Sequence, residues 1–285
     1  MTNKNTLNSD IHITFLGGGN MGRALIGGLL KEGLLAQQIS VIETNSETAS
    51  QLKKDFSIRT IASLDAIAPD ESKNNIVVMA IKPQDFKTAA TVLSGKLQLS
   101  SPPLIVSIAA GIRTSDMNRW LGLTRCVRAM PNTPALIGKG ITGLFAETTL
   151  SDADRNLAEA ICSALGQTVW VDQEQLLDAV TALSGSGPAY VFAFLEALQA
   201  GGEKLGLDSV TARKLAYATL EGASQLANHS AESAGTLRER VTSKGGTTAA
   251  ALAVLKDMDW QTTLEKALAA AAERSKTMGD ELGQG

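Results

Sequence analysis

Ile11-His-Ile-Thr-Phe-Leu-Gly-Gly-Gly-Asn-Met-Gly22 is the stretch that decides the fold of this chain. Ile11, Ile13 and Phe15 alternate as on a strand, and the run leads straight into Gly17, Gly19 and Gly22, a G-x-G-x-x-G pattern. Ala24, Leu25, Ile26, Leu29 and Leu30 follow at helical spacing. Strand, glycine turn and helix in this order are the context in which the pattern signifies dinucleotide binding. The residue types match the chemistry. Gly17 permits the tight turn, Gly19 admits a pyrophosphate close to the backbone, and Gly22 lets helix and strand pack together. Gly18, Asn20 and Met21 complete the loop, whose free N–H groups and helix dipole hold phosphate. The plainer alternative is a glycine-rich turn without a ligand, and the flanking pattern argues against it.

Outward from this loop, short apolar strands alternate with helical segments, the signature of a parallel sheet covered on both faces. Ile39-Ser-Val-Ile-Glu43 is the second strand, and Glu43 stands 21 residues after Gly22. A dinucleotide fold puts there the group that meets the adenine ribose, and a carboxylate accepts from a 2′-hydroxyl while repelling a 2′-phosphate. Thr44, Asn45 and Ser46 follow, able to serve a phosphate as well as a hydroxyl, or with Ser46 to cap the next helix. Glu43 therefore leans towards NADH, with NADPH still open. Asn75-Ile-Val-Val-Met-Ala-Ile81 is a buried central strand that ends at Lys82-Pro83, where proline forces a sharp exit on the ligand side of the sheet. Ala80, Ile81, Lys82 and Pro83 are thus cofactor-side candidates, with a solvated surface lysine as the default for Lys82. Leu104-Ile-Val-Ser-Ile-Ala-Ala-Gly111 repeats the pattern, with Ala109 and Ala110 small enough for a flat ring to pack against them. Thr124 to Met130 makes a further strand, followed by the rigid turn Pro131-Asn-Thr-Pro134. A strand over Gly140 to Phe145, a helix over Ser151 to Leu165 and a strand over Thr168 to Val171 finish this half.

From Asp172 the strands stop. Leu176, Leu177, Val180 and Leu183, then Val191, Phe194, Leu195 and Leu198, keep helical spacing, interrupted at Gly187-Pro188. Alanine-rich helices follow over 208–227, 231–241, 247–256 and 260–278. An all-helical half with this much apolar surface suggests a dimer core. The expected organisation is an α/β, mostly parallel-sheet dinucleotide-binding domain over residues 1–171, then an all-α dimerisation and substrate domain over 172–285.

Composition sets the outer bounds. The chain has 285 residues, 44% of them hydrophobic and 19% charged, which suits a globular protein with a real core. A net charge of −3 without basic blocks makes no electrostatic case for nucleic acid or an anionic membrane. Cys126 and Cys162 are the only cysteines, in no metal or disulfide pattern, and fit a reducing, cytoplasmic setting. Met1 to Asp10 is polar, a frayed tail rather than a signal peptide. No apolar run approaches the ~20 residues of a membrane helix.

The chain resembles the pyrroline-5-carboxylate reductase family along essentially its whole length. Carrying the resemblance are Phe15-Leu-Gly-Gly-Gly-Asn-Met-Gly22, Ala80-Ile-Lys-Pro83, Ser107-Ile-Ala-Ala-Gly111, Arg128-Ala-Met-Pro-Asn-Thr-Pro-Ala135, Leu183-Ser-Gly-Ser-Gly-Pro-Ala-Tyr190 and Val241-Thr-Ser-Lys-Gly-Gly-Thr-Thr-Ala249. The last three, in this order, are the specific ones. The resemblance implies an N-terminal Rossmann domain and a helical domain that interlocks two subunits, with decamers often built from such dimers. It implies hydride transfer from NADPH or NADH to the C=N carbon of 1-pyrroline-5-carboxylate, giving proline. By that resemblance Ser243, Thr247 and Thr248 hold the substrate carboxylate, and Thr248 reaches the ring nitrogen as the catalytic group. Glu174 and Ser186 match positions lining the same pocket, and Ser63 matches one at the adenosine end. The family usually carries proline where this chain has Lys244, which frees an N–H and adds a cation beside the substrate carboxylate.

Independently of the resemblance, Gly245-Gly246 before a helix start at Thr247 forms a second anion cradle. A glycine-broken loop capped by threonine is its bland alternative. Acid–base machinery is not apparent: Phe194 and Glu221 stand where a Tyr-x-x-x-Lys pattern would need lysine after Tyr190 and Tyr217. Reduction of a protonated imine needs little external acid. A β-hydroxyacid dehydrogenase would carry a lysine in the stretch 183–198, which has none. A non-catalytic nucleotide-binding scaffold would not need the cradle at 243–248.

Overall fold

The computed structural model describes residues 11–64, 74–96 and 102–284; the expected tail Met1–Asp10 lies outside them. Two compact units are present, residues 1–185 with 271–285, and residues 186–270.

In the first unit, β1 (Ile11–Leu16), β2 (Ile39–Ile42), β3 (Arg59–Ile61), β4 (Asn74–Met79), β5 (Leu104–Ser107), β6 (Cys126–Met130), β7 (Gly140–Phe145) and β8 (Gly166–Trp170) form one sheet in the order β3-β2-β1-β4-β5-β6-β7-β8. The first six strands are parallel and in the doubly wound order, so the chain changes direction between β1 and β4. β7 runs antiparallel to β6, with Arg128 opposite Phe145, and β8 is parallel to β7. Alternate side chains of each central strand enter opposite layers. Ile76 and Val78 pack with Leu25, Ile26 and Leu29 of α1 (Asn20–Lys31) and with Ile161 and Cys162 of α5 (Asp152–Ser163). Val77 and Met79 pack with Phe86, Ala90 and Leu93 of α3 (Pro83–Ser94) and with Met117 and Trp120 of α4 (Thr114–Leu121). Burial on both faces is why these strands are continuously apolar in sequence.

Several elements depart from expectation. The cap of α2 (Ser46–Phe56) is Asn45, whose side chain accepts from the Thr48 N–H at 2.9 Å, rather than Ser46. Ser151 lies outside α5 as its cap, accepting from the Asp154 N–H. β8 begins two residues early, at Gly166, and β3 went unforeseen because three partly exposed residues leave no pattern. The first unit also runs past the expected boundary at residue 171. It includes α6 (Leu176–Val180), whose Leu177 and Val180 pack over Gly143 of β7, and the π-turn Thr181–Gly185.

The second unit contains α7 (Gly187–Lys204), α8 (Ser209–His229), α9 (Ala234–Arg240), α10 (Thr247–Asp257) and the start of α11 (Trp260–Gly283), whose turns from Ala271 belong to the first unit. Pro188 occupies the first turn of α7, where its missing N–H costs nothing. α7 and α8 meet through small residues: a Cβ on Gly202 would lie 3.2 Å from that of Ala212. Among the described residues of this unit, Leu195, Ala212 and Ala216 are the buried hydrophobics, while Phe192 is 59%, Leu226 61% and Met258 75% exposed. No helix among the described residues is long and apolar enough to cross a membrane.

Candidate active site

The first candidate site sits at the carboxyl ends of β1 and β4, where an open parallel sheet has its crevice. The N–H of Gly17 donates to the Ile42 carbonyl at 2.9 Å, and that of Ala80 donates to the Leu16 carbonyl at 2.8 Å. Gly17 has φ +91°, and a Cβ there would come within 2.5 Å of the Ala80 oxygen. Only glycine fits both the left-handed conformation and the contact. Gly22 is pressed against Gly17 in the same way, its Cβ position 2.7 Å from the Gly17 oxygen. Gly19 is the opposite case: nothing lies within 4 Å of its Cβ position, so the space before the helix is open. Gly19 caps α1 without a side-chain hydrogen bond, and no acidic residue occupies the first turn. The N–H groups of Asn20 and Met21 therefore have no intrahelical acceptor and are free for an anion. These residues fit a dinucleotide pyrophosphate.

Around that loop, Ile81 touches the Gly17 turn and Lys82 is the exposed cap residue of α3, with Pro83 in the first helical turn. The Ile108 N–H donates to the Met79 carbonyl at 3.2 Å and the Ala109 N–H to Ser107 Oγ at 3.3 Å, so buried Ala109 and half-buried Ala110 lie beside the end of β4. Glu43 and half-buried Ser63 stand at the ends of β2 and β3. Glu43 accepts two backbone hydrogen bonds, from Gly18 at 2.9 Å and from Asn45 at 2.8 Å.

In the second unit, the Gly246 N–H closes a turn onto the Ser243 carbonyl at 3.1 Å, with Gly245 at φ +72°. Gly246 is the cap residue of α10 and provides no side chain, and a Cβ on it would fall 2.5 Å from Ser243 Oγ. Helical bonding begins with the Ala250 N–H onto the Gly246 carbonyl. The N–H groups of Thr247, Thr248 and Ala249 thus lack intrahelical acceptors. Among the described residues, the hydroxyls of Ser243, Thr247 and Thr248 have no hydrogen-bond partner. The reading of this turn as a threonine-capped loop is therefore corrected: neither threonine caps the helix. Lys244 is exposed on the same turn. Ser186 precedes α7 in helical conformation, its carbonyl accepting from the Ala189 N–H at 3.0 Å.

Glu174, which the resemblance matches to a pocket-lining position, belongs to a buried polar network. Its carboxylate accepts from the Thr114 N–H at 2.8 Å and the Thr114 hydroxyl at 2.9 Å, and pairs with Arg128 at 3.1 Å. Arg128 is 5% exposed and faces Asp178 at 4.0 Å, which in turn accepts from Ser275 Oγ at 2.7 Å. The sequence reasoning missed this network. Its signal was an arginine inside the apolar strand Cys126-Val-Arg-Ala-Met130, because a buried guanidinium requires acidic partners. Both cysteines are buried, and desolvation pushes each thiol up to about 12, with Glu159 adding to the effect at Cys162. Neither is a thiolate nucleophile near neutral pH. Among the described residues no cluster of three or more histidine, cysteine or acidic side chains could hold a metal ion.

Comparison with known proteins supplies a family. Residues 174–278 match the model described as pyrroline-5-carboxylate reductase dimerisation, and residues 12–111 match that of NADP oxidoreductase, coenzyme F420-dependent. The chain is 42% identical over 274 residues to the pyrroline-5-carboxylate reductase of Pseudomonas aeruginosa, covering 95% of this chain and 98% of that one. The structure of a pyrroline-5-carboxylate reductase from Coxiella burnetii superposes with a TM-score of 0.87 at 38% identity, covering 95% and 99% of the two chains. The Plasmodium falciparum pyrroline carboxylate reductase, solved with NADP bound, gives 0.80 at 28% identity, covering 94% and 98%.

Proposed function

This chain belongs to the pyrroline-5-carboxylate reductase family, and from that premise we propose how its residues divide the work. It is an NAD(P)H-dependent reductase that converts 1-pyrroline-5-carboxylate to L-proline, the last step of proline biosynthesis. NAD(P)H, when bound, supplies the hydride that reduces the C=N carbon. Gly17, Gly18, Gly19, Asn20, Met21 and Gly22 hold its pyrophosphate through backbone N–H groups. Ala80, Ile81, Lys82 and Pro83, with Ala109 and Ala110, line the nicotinamide side, while Glu43 and Ser63 meet the adenosine.

Ser243 and Thr247 bind the substrate carboxylate, and Thr248 orients the ring nitrogen. The observation that carries this assignment is the uncapped start of α10, with three unpartnered hydroxyls and free N–H groups together. A pyrrolinium nitrogen enters already protonated, and reduction neutralises it, so positioning rather than proton donation is what the residues supply. Ser186 lines the same pocket. The test is loss of NAD(P)H absorbance on adding 1-pyrroline-5-carboxylate, with proline as product. Turnover of a different imine or acid alone points to a related reductase, and coenzyme binding without turnover of any such compound points to a nucleotide-binding scaffold.

The chain forms homo-oligomers through its dimerisation region. The apolar side chains exposed on α7, α8 and α10 support a dimer as the working unit, with a decamer built from dimers as the larger assembly. Two buried free cysteines fit a reducing cytoplasm as its location.

A further inference from the structure

The adenosine end of the coenzyme site carries information beyond the family. Glu43 directly follows β2, and its own N–H donates to the Ile61 carbonyl at 3.0 Å, which keeps its backbone in line with β3. Its Oε2 accepts from the Gly18 N–H at 2.9 Å and its Oε1 from the Asn45 N–H at 2.8 Å. One carboxylate thus ties the glycine loop to the turn before α2. Each oxygen has a second lone pair left over, so the group can still accept from a pair of ribose hydroxyls. It cannot swing aside without stranding two backbone donors.

The turn offers a 2′-phosphate neutral donors, such as the hydroxyls of Thr44 and Ser46, but no cation. Of the donors in the turn, the Asn45 N–H is given to Glu43 and the Thr48 N–H to Asn45 Oδ1. The first turn of α2 already carries Glu47, and the turn from Glu43 to Ser46 holds no arginine or lysine. Lys53 and Lys54 are in the last turn of α2, roughly 10 Å further along its axis. Arg23 is paired with Asp55 and stacked on Phe56. Among the described residues, no ion pair neutralises Glu43. A phosphate dianion would therefore meet a fixed, uncompensated carboxylate.

We propose that this enzyme prefers NADH to NADPH, and that Glu43 is the residue that discriminates between them. The inference rests on the coenzyme-binding reading above. A dianion about 5 Å from a carboxylate is disfavoured by about tenfold or more even at the dielectric constant of water. A 2′-hydroxyl gains a charge-assisted hydrogen bond at the same place.

The experiment is titration of the purified wild-type protein with NADH and with NADPH, followed by the fluorescence of the bound coenzyme and needing no turnover. Binding of NADH about tenfold or more tighter supports the proposal, and equal affinities, tighter NADPH or no binding of either overturns it. Glu43→Ser and Glu43→Gln remove the charge, and Gln keeps one acceptor for the loop. In any variant that folds, a fall of the NADH:NADPH affinity ratio by about tenfold supports the assignment to Glu43, and an unchanged ratio overturns it. Should either variant fail to fold, the wild-type ratio still decides the preference. Lack of activity on 1-pyrroline-5-carboxylate alongside a strong NADH preference would count against the proposed substrate and not against this inference.

Discussion

Single residues in the Ser243–Thr248 turn separate binding from turnover. Thr248→Ala removes a hydroxyl assigned to the ring nitrogen, whose charge and geometry change during reduction, so kcat should fall. Ser243→Ala weakens the grip on the carboxylate equally in ground and transition states, so KM should rise with kcat little altered. A hydrogen bond to a charged group is worth about 1.5–3 kcal/mol, so each effect should be roughly ten- to a hundredfold. Since neither threonine caps α10, the ~1 kcal/mol loss of stability expected on deleting a capping side chain should be absent. Steady-state kinetics beside a thermal melt checks both statements. A Thr248→Ala protein with normal kcat and a lowered melting point would remove the role assigned to it.

At the scale of elements, the Glu174 carboxylate joins the start of α4 to the middle of β6. Glu174→Ala would leave Arg128 buried, with Asp178 as its remaining acidic neighbour at 4.0 Å. It would also strand the Thr114 N–H, although the Thr114 hydroxyl keeps Glu147 at 3.2 Å. Breaking a buried ion pair from one side costs about 3–5 kcal/mol. Urea denaturation should show a loss of that order for Ala and a smaller one for Gln, which still offers an acceptor to Thr114. The pocket-lining role implied by resemblance predicts the reverse: unchanged stability and a raised KM for the imine. Because α4 follows the Ala109–Ala110 segment, coenzyme affinity is expected to weaken along with stability.

For the whole molecule, the second unit has few buried apolar side chains of its own, while Phe192, Leu226 and Met258 are mostly exposed. Such surface needs covering, and since residues 174–278 match a dimerisation model, a second copy of the chain is the occupant to test. Light scattering should give a dimer or a multiple of it, with a melting temperature that rises with protein concentration. Leu226→Asp, which puts a charge on that surface, should lower the assembly state and the activity together. A stable, fully active monomer would contradict this arrangement.

The glycine loop, the parallel strands, the helical second half and the cradle before α10 were legible in the sequence. Each is written locally, in the alternation of β-branched residues, in 3.6-residue periodicity, or in glycines where backbone or ligand must approach. Periodicity records that a face is buried, but not what it is buried against. Gly18 and Glu43 are 25 residues apart, Arg128 and Glu174 46, and Thr114 and Glu174 60, so the clamp on the glycine loop and the buried network exist only once the sheet is assembled. The same holds for the limits of the first unit. Nothing in the helical pattern of α11 distinguishes the turns from Ala271 onward, and it is Ser275 meeting Asp178 and Asp280 meeting Arg113 that ties them to the sheet domain. Local order follows from neighbouring residues, whereas these partners were chosen by the fold that brings distant charges within hydrogen-bonding reach.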